Sequence, residues 1–301
     1  MSHHHSHDHK VSNYNRAFAI GVALNGIFVV IEAIYGILAK SMALLADAGH
    51  NLSDILSLLL AWGASLLAAR AATEQRTYGF RKTTIMASLT SAIVLFLALG
   101  GLALEAIGRF SDPEPIQGGT IIIVAAIGVG INTIIALLFL SGRKDDLNIR
   151  AAFLHMAADA GVSFGVVVAG IVIVFTDWLW VDPLISLVIV AIILFGTWPL
   201  LRDSINLAID SVPAGIDLTE IKAYLRCCEN VCQIHDLHVW PLSTTEIALS
   251  VHLIVTDNPV RKDFLNEIQR HLHDHFGIAH ATIQIETEAD GECILNRDSC
   301  I

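Results

Sequence analysis

The chain has 301 residues, 54% of them hydrophobic, and a mean hydropathy of +0.62, which is too apolar for a soluble globular protein and places it among membrane proteins. Its net charge of -11 is unevenly spread: residues 1–206 carry 12 Lys/Arg against 14 Asp/Glu, and residues 207–301 carry 6 against 15. An acidic C-terminal segment of this kind attracts cations and argues against nucleic acid as a partner.

Residues 1–15 read as a disordered, metal-attracting tail with His3, His4, His5, His7, His9 and Asp8, and no defined site is assigned there. No cleavable signal peptide is expected, because the polar start is followed by an apolar run long enough to cross a bilayer. Residues 16–206 are expected to form six transmembrane helices, at about 17–39, 41–69, 83–107, 118–141, 148–176 and 183–201. With six spans, the N-terminus, the loops near 70–82 and 142–150, and the segment after 201 share one side. Those regions hold Lys10, Arg16, Arg70, Arg76, Arg81, Lys82, Arg143, Lys144, Arg150 and Arg202, whereas the opposite loops hold Lys40 and Arg109. The bias predicts both termini on the cytoplasmic side, as in the inner (cell) membrane of a bacterium.

Residues 207–301 read as a small α/β domain. A helix is expected over 217–229 with Asp217 as its cap, strands over 231–240 and 246–256, a helix over 260–276 and a strand over 280–286. The order α-β-β-α-β predicts a two-layer sandwich with its helices on one face. All five cysteines, at 227, 228, 232, 293 and 300, lie in this segment and are expected to be reduced thiols if it is cytosolic.

The chemistry concentrates in two H-x-x-x-D motifs inside the second and fifth spans, His50 with Asp54 and His155 with Asp159. Positions i and i+4 share one helix face, so each motif presents an imidazole beside a carboxylate. Two such helices facing each other supply two nitrogens and two oxygens, a tetrahedral set suited to Zn²⁺. An Asp at membrane depth costs roughly 2.5–3.5 kcal/mol on insertion scales and marks an ion or proton path. Asp47, His50, Asp54 and Ser57, then His155, Asp159 and Ser163, recur at three- or four-residue spacing and so face protein or water, not lipid. The first span also contains Asn25 and Glu32.

The run from Leu45 to Asp54, the second motif His155 to Asp159, and His235-Asp-Leu-His238-Val-Trp240 resemble the cation diffusion facilitator family of zinc transporters, over about residues 16–286. The resemblance implies a homodimer of six-helix protomers, each with a cytoplasmic metallochaperone-like domain, that exchanges Zn²⁺ for protons. It implies a transport site of His50, Asp54, His155 and Asp159, with Asp47 in the polar access path. A cytoplasmic metal site maps onto His235, His252 and Glu286. The family's fourth ligand position falls at Ala279, next to His280, and one residue of strand shift turns a side chain to the other face. The loop site of some relatives maps onto Thr73, Arg76 and Phe80, which do not bind zinc, so no site is expected there. Lys82 and Asp210 match a charge interlock between the membrane and cytoplasmic parts of the dimer. Cys293 and Cys300 resemble tail cysteines that supply thiolates in some relatives, whereas Cys227 and Cys228 are expected to be packing residues.

The mechanism follows from competition between metal and protons for the same groups. Neutral imidazole and ionised carboxylate bind the ion on the cytosolic side, and protonation on the outer side releases it. Two His and two Asp favour Zn²⁺ over Mg²⁺ or Ca²⁺, and Co²⁺ or Cd²⁺ also suit such a site. An intramembrane metalloenzyme is the rival from another class, but the chain has no H-E-x-x-H motif and no obvious nucleophile beside either H-x-x-x-D. A metal sensor or scaffold that binds without transporting is the second rival.

Overall fold

A computed structural model describes residues 11–140, 147–256 and 263–287. The chain divides into two compact units, Met1–Leu59 with Ile93–Trp198, and Leu60–Ala92 with Pro199–Ile301. Six long helices come first: α1 (Val11–Ala39), α2 (Met42–Ala68), α3 (Thr83–Ser111), α4 (Gly118–Phe139), α5 (Leu147–Thr176) and α6 (Val181–Ala208). Each contains a stretch apolar and long enough to cross a membrane. The protein is therefore a polytopic α-helical membrane protein followed by a small α/β domain.

The first unit is built where apolar helices interdigitate at small residues. Phe28, Leu44, Ile121, Val124, Val166, Ala169 and Ile193 belong to one buried core. A Cβ on Gly118 would lie 2.7 Å from Val174, and one on Gly170 2.9 Å from Ile122, so the two glycines let α4 and α5 approach closely. Gly128 does the same for Phe28 and for the Ser163 hydroxyl, at 2.8 and 3.3 Å from its would-be Cβ. Asp182, at the start of α6, closes the N-terminus of α2. Its carboxylate accepts from Ser41 Oγ at 2.5 Å, Met42 N at 2.7 Å and Ala43 N at 3.4 Å. Those N–H groups have no partner within their own helix, so the carboxylate satisfies them.

Two boundaries of the long helices differ most from the sequence expectation. Helix α1 starts at Val11, so residues 11–15 are helical and not part of a disordered tail, because the run continues in helical register ahead of the apolar stretch. Residues 1–10, with the His cluster, lie outside the described residues. Helix α6 continues through Pro199 to Ala208 instead of stopping at about 201. Proline removes one backbone donor yet leaves the helix after it intact when packing supports the turn.

In the second unit the C-terminal domain runs α7 (Leu218–Arg226), β1 (Val231–Pro241), β2 (Ile247–Val255), α8 (Phe264–Phe276) and β3 (Ile278–Thr287). The sheet order is β1-β2-β3, antiparallel between β1 and β2 and parallel between β2 and β3. Ile221 and Leu225 of α7 and Ile268 and Leu272 of α8 share a core with Leu237, Val239, Leu249, Val251, Leu253 and Val255, so both helices cover one sheet face. Asp217 caps α7 by accepting from Thr219 N at 2.7 Å, and that bond holds its carboxyl below the usual carboxylate range. Gly277 ends α8 at φ +67, a left-handed conformation that an L side chain adopts only with strain.

Candidate functional site

Helices α2 and α5 bring the two H-x-x-x-D pairs into one closed ring. His50 Nε2 lies 3.7 Å from Asp54 Oδ2 and 3.6 Å from Asp159 Oδ1. His155 Nε2 lies 3.2 Å from Asp54 Oδ2 and 3.7 Å from Asp159 Oδ2. Each imidazole thus touches both carboxylates, and each carboxylate touches both imidazoles. The two rings meet edge to face with centroids 6.1 Å apart. An ion bound tetrahedrally at about 2.0–2.1 Å keeps its ligand atoms roughly 3.3–3.4 Å apart, a spacing that the ring brackets. With both imidazoles neutral, the two carboxylates balance a divalent charge.

The ring is open on one side. The side chains of His155 and Asp54 are 46% and 31% exposed, whereas those of His50 and Asp159 are 14% and 3%. Exposure therefore falls from the N-terminal end of α5 inward. Asp54 Oδ2 and Asp159 Oδ2 are buried atoms without a hydrogen-bond donor, so both have lone pairs free to accept a cation.

Asp47 stands one turn beyond the ring. It is fully buried, and its carboxylate accepts from Ser163 Oγ at 2.7 Å and from Asn51 Nδ2 at 3.4 Å, not from the ring. Gly128 makes room for Ser163, so this contact depends on the close approach of α4 and α5.

A second cluster lies on the C-terminal sheet. His235, His252 and Glu286 offer ligand atoms all within 4.8 Å of one another. His235 Nε2 is 3.0 Å from Glu286 Oε2, and His252 Nδ1 is 2.8 Å from Glu286 Oε1. His235 and His252 are register partners across β1 and β2. Glu286 is two residues past Gln284, the β3 partner of His252, which makes it a diagonal neighbour on the same face. His235 Nδ1 is buried without a hydrogen-bond partner, so the donor set fits a resident divalent ion.

A β-bulge aims these groups. In a regular strand His235 and His238, three residues apart, would point to opposite faces. The register shifts between His235 and His238, and Asp236 takes φ +50. Ile234 consequently packs in the core on one side of the shift and Leu237 and Val239 on the other, while His235 turns to the open face. Asp236 then reaches two histidines, with Oδ1 2.9 Å from His238 Nε2 and Oδ2 3.6 Å from His252 Nε2. Sequence reasoning missed Asp236. The odd spacing of His-Asp-Leu-His was its available signal.

His280 is not brought to this cluster. It pairs with Ala248, six residues along β3 from Glu286, a strand length of about 20 Å. Its ring packs edge to face on Tyr78 at 5.6 Å. The obstacle is distance along the strand, not the face, because residues 280 and 286 have the same parity.

Elsewhere in the second unit, Lys82 Nζ donates to Asp210 Oδ1 and Oδ2 at 2.8 and 3.0 Å, and Arg81 pairs with Glu246 at 2.9 Å. In the 70–82 loop, Thr73 and Arg76 exchange backbone hydrogen bonds, and the Arg76 guanidinium sits 4.6 Å above the Phe80 ring. Cys228 packs against the domain core, and burial pushes its thiol up. Cys227, expected as a packing residue, is exposed instead, because the helix ends there and the chain turns away. Cys293 and Cys300 lie outside the described residues.

The comparisons with known proteins cover both parts of the chain. The profile of the cation efflux transmembrane domain matches residues 18–207, and that of the cation efflux protein cytoplasmic domain matches residues 213–288. The chain is 37% identical over 284 residues to the metal cation efflux system protein CzcD of Cupriavidus metallidurans, covering 94% of this chain and 89% of that protein. It is 35% identical over 287 residues to the cadmium, cobalt and zinc/H(+)-K(+) antiporter of Bacillus subtilis, covering 94% and 92%. It is 34% identical over 307 residues to the zinc transporter ZitB of Escherichia coli, covering 98% and 96%. With both domain profiles matched and these relatives aligned nearly end to end, the chain belongs to the cation diffusion facilitator family and is a membrane transporter of metal cations, not an enzyme.

Proposed function

We propose that the protein is a proton-coupled antiporter that exports Zn²⁺ from the cytosol, with Cd²⁺ and Co²⁺ as secondary substrates, through His50, Asp54, His155 and Asp159. The observation that carries this reading is the closed ring of alternating imidazoles and carboxylates at 3.2–3.7 Å. Nitrogen and oxygen ligands in a tetrahedral arrangement favour zinc over magnesium or calcium. The same groups bind protons, so protonation from the outer side displaces the metal and returns inward with the empty ring. Both termini are cytoplasmic by the placement of basic residues, in the inner membrane of a bacterial cell. The ring's more exposed end, at His155 and Asp54, then faces the cytosol and gives an inward-open, metal-loading arrangement.

Matched to a cytoplasmic domain profile, the C-terminal sheet serves as a zinc sensor of a homodimer. His235, His252 and Glu286 hold a resident Zn²⁺, Asp236 orients His252, and Lys82 with Asp210 ties the domain to the membrane part. When bound, that ion cross-links the three strands. The test of the transport site is uptake of radioactive zinc into inside-out vesicles under a pH difference. Asp54→Ala and Asp159→Ala should each abolish uptake, and wild-type uptake by either variant defeats the assignment.

A further inference from the structure

Glu32 and Asp47 are fully buried carboxyls on α1 and α2, inside membrane-spanning helices. Neither oxygen of Glu32 receives a hydrogen bond. The polar groups that act on it are the Asp47 carboxyl and the Asn51 amide. The other titratable groups acting on Asp47 are His50 and Asp159 of the ring. Helix α4, which packs on α1, contains no titratable residue. Among the described residues no cation acts on Glu32, and two ionised carboxylates side by side at membrane depth would be uncompensated. A single proton shared between the two carboxyls removes one charge and makes the hydrogen bond that Glu32 lacks.

The position of the pair gives that proton a direction. Gly36 abuts Leu45 and Gly26 abuts Ile55, so α1 and α2 run antiparallel with Glu32 level with the turn around Asp47 and Asn51. Ser163, which donates to Asp47, is four residues past Asp159 on α5, about 6 Å along the helix. Asp47 precedes His50 on α2. Both offsets point away from exposed His155, toward the end where Asp182 closes α2. On the orientation proposed above, that is the outer side of the ring.

We propose that Glu32 and Asp47 form a proton store on the outer side of the metal ring, which takes a proton from outside and passes it to a ring ligand as the metal leaves. The proposal rests on the antiport reading and names a carrier residue outside the ligand set. Glu32→Gln keeps the size of the side chain and removes the exchangeable proton.

In proteoliposomes with zinc and pH indicators, the parent exchanges a fixed number of protons per zinc. For the full-length Glu32→Gln variant, the expected result is zinc binding within threefold of the parent, about one proton fewer per zinc, and a rate that no longer follows outer pH. Glu32→Asp, which restores a carboxyl, should recover both. Asp47→Asn approaches from the other helix and should repeat the loss. The proposal is overturned if Glu32→Gln and Asp47→Asn keep the parent's proton count and pH response. It is also overturned if Glu32→Gln, Glu32→Asp and Asp47→Asn all lose zinc binding, since that marks a packing role. A parent that moves zinc without protons defeats the antiport reading itself, and the store with it.

Discussion

Replacing Asp236 tests how the proposed metal cluster of His235, His252 and Glu286 is supported. Its carboxylate meets His252 Nε2 at 3.6 Å, while Glu286 meets Nδ1 of the same ring at 2.8 Å. A carboxylate on the far nitrogen of a metal-binding histidine fixes the ring and raises its basicity, and removing such a partner typically costs about 10–100-fold in metal affinity, or roughly 1.4–2.7 kcal/mol. The 3.6 Å separation is long for a hydrogen bond, so the lower part of that range is expected. Asp236 also occupies φ +50. Asn tolerates that conformation and Ala does not, at about 1–2 kcal/mol. Asp236→Asn therefore isolates the charge, and Asp236→Ala adds backbone strain and lost stability. The assay is zinc calorimetry on the full chain in detergent, with the membrane ring disabled by Asp54→Ala and Asp159→Ala. Asn should weaken zinc binding at the remaining site about tenfold. An Asn variant within twofold of its parent, or an Ala variant that melts no earlier than Asn, would refute the supporting role of this residue.

Other outcomes follow from the same geometry. Asp182→Ala strands two backbone N–H groups and the Ser41 hydroxyl at the start of α2, and should lower stability by about 2–4 kcal/mol in a detergent melt, whereas Asp182→Asn should lose less. Lys82→Ala breaks a half-exposed ion pair worth about 0–1 kcal/mol to the fold. Its melting temperature should hardly move in a detergent melt, and a fall of more than a few degrees would refute that weight. The Asp217 carboxyl sits below its unfolded value, so its stabilisation of α7 is present above that unfolded value, about 3.9, and is lost as pH falls through the lower folded value. Asp217→Ala should remove that pH-dependent part of helix stability in circular dichroism below about pH 4. A strong chelator should lower the melting temperature of the C-terminal domain in the parent but not in His235→Ala with His252→Ala.

The helical spans were legible because an apolar run of bilayer length carries its own signal. The i, i+4 spacing of each His/Asp pair put both groups on one helix face before any packing was known. The Asp217 cap was equally local, since the side chain reaches N–H groups two residues away. His280 was harder to place. Its chemistry suits a ligand, yet the parallel register of β3 leaves it far along the strand from Glu286. The role of Asp236 stayed hidden because a bulge changes which face each later residue takes, and alternation alone does not reveal it.

Composition and short-range periodicity, which act within a turn of helix or a few strand residues, settled by themselves that this chain crosses a membrane and carries paired imidazole and carboxylate groups within it. Whether those pairs meet was decided by tertiary packing. Residues about a hundred positions apart come within 3.7 Å where α2 meets α5, in a bundle whose glycines let α1 approach α2 and α4, and α4 approach α5, and Asp47 finds Ser163 in the same packing. Close approach between distant segments depends on the shapes of both surfaces at once, and no local stretch of sequence encodes that.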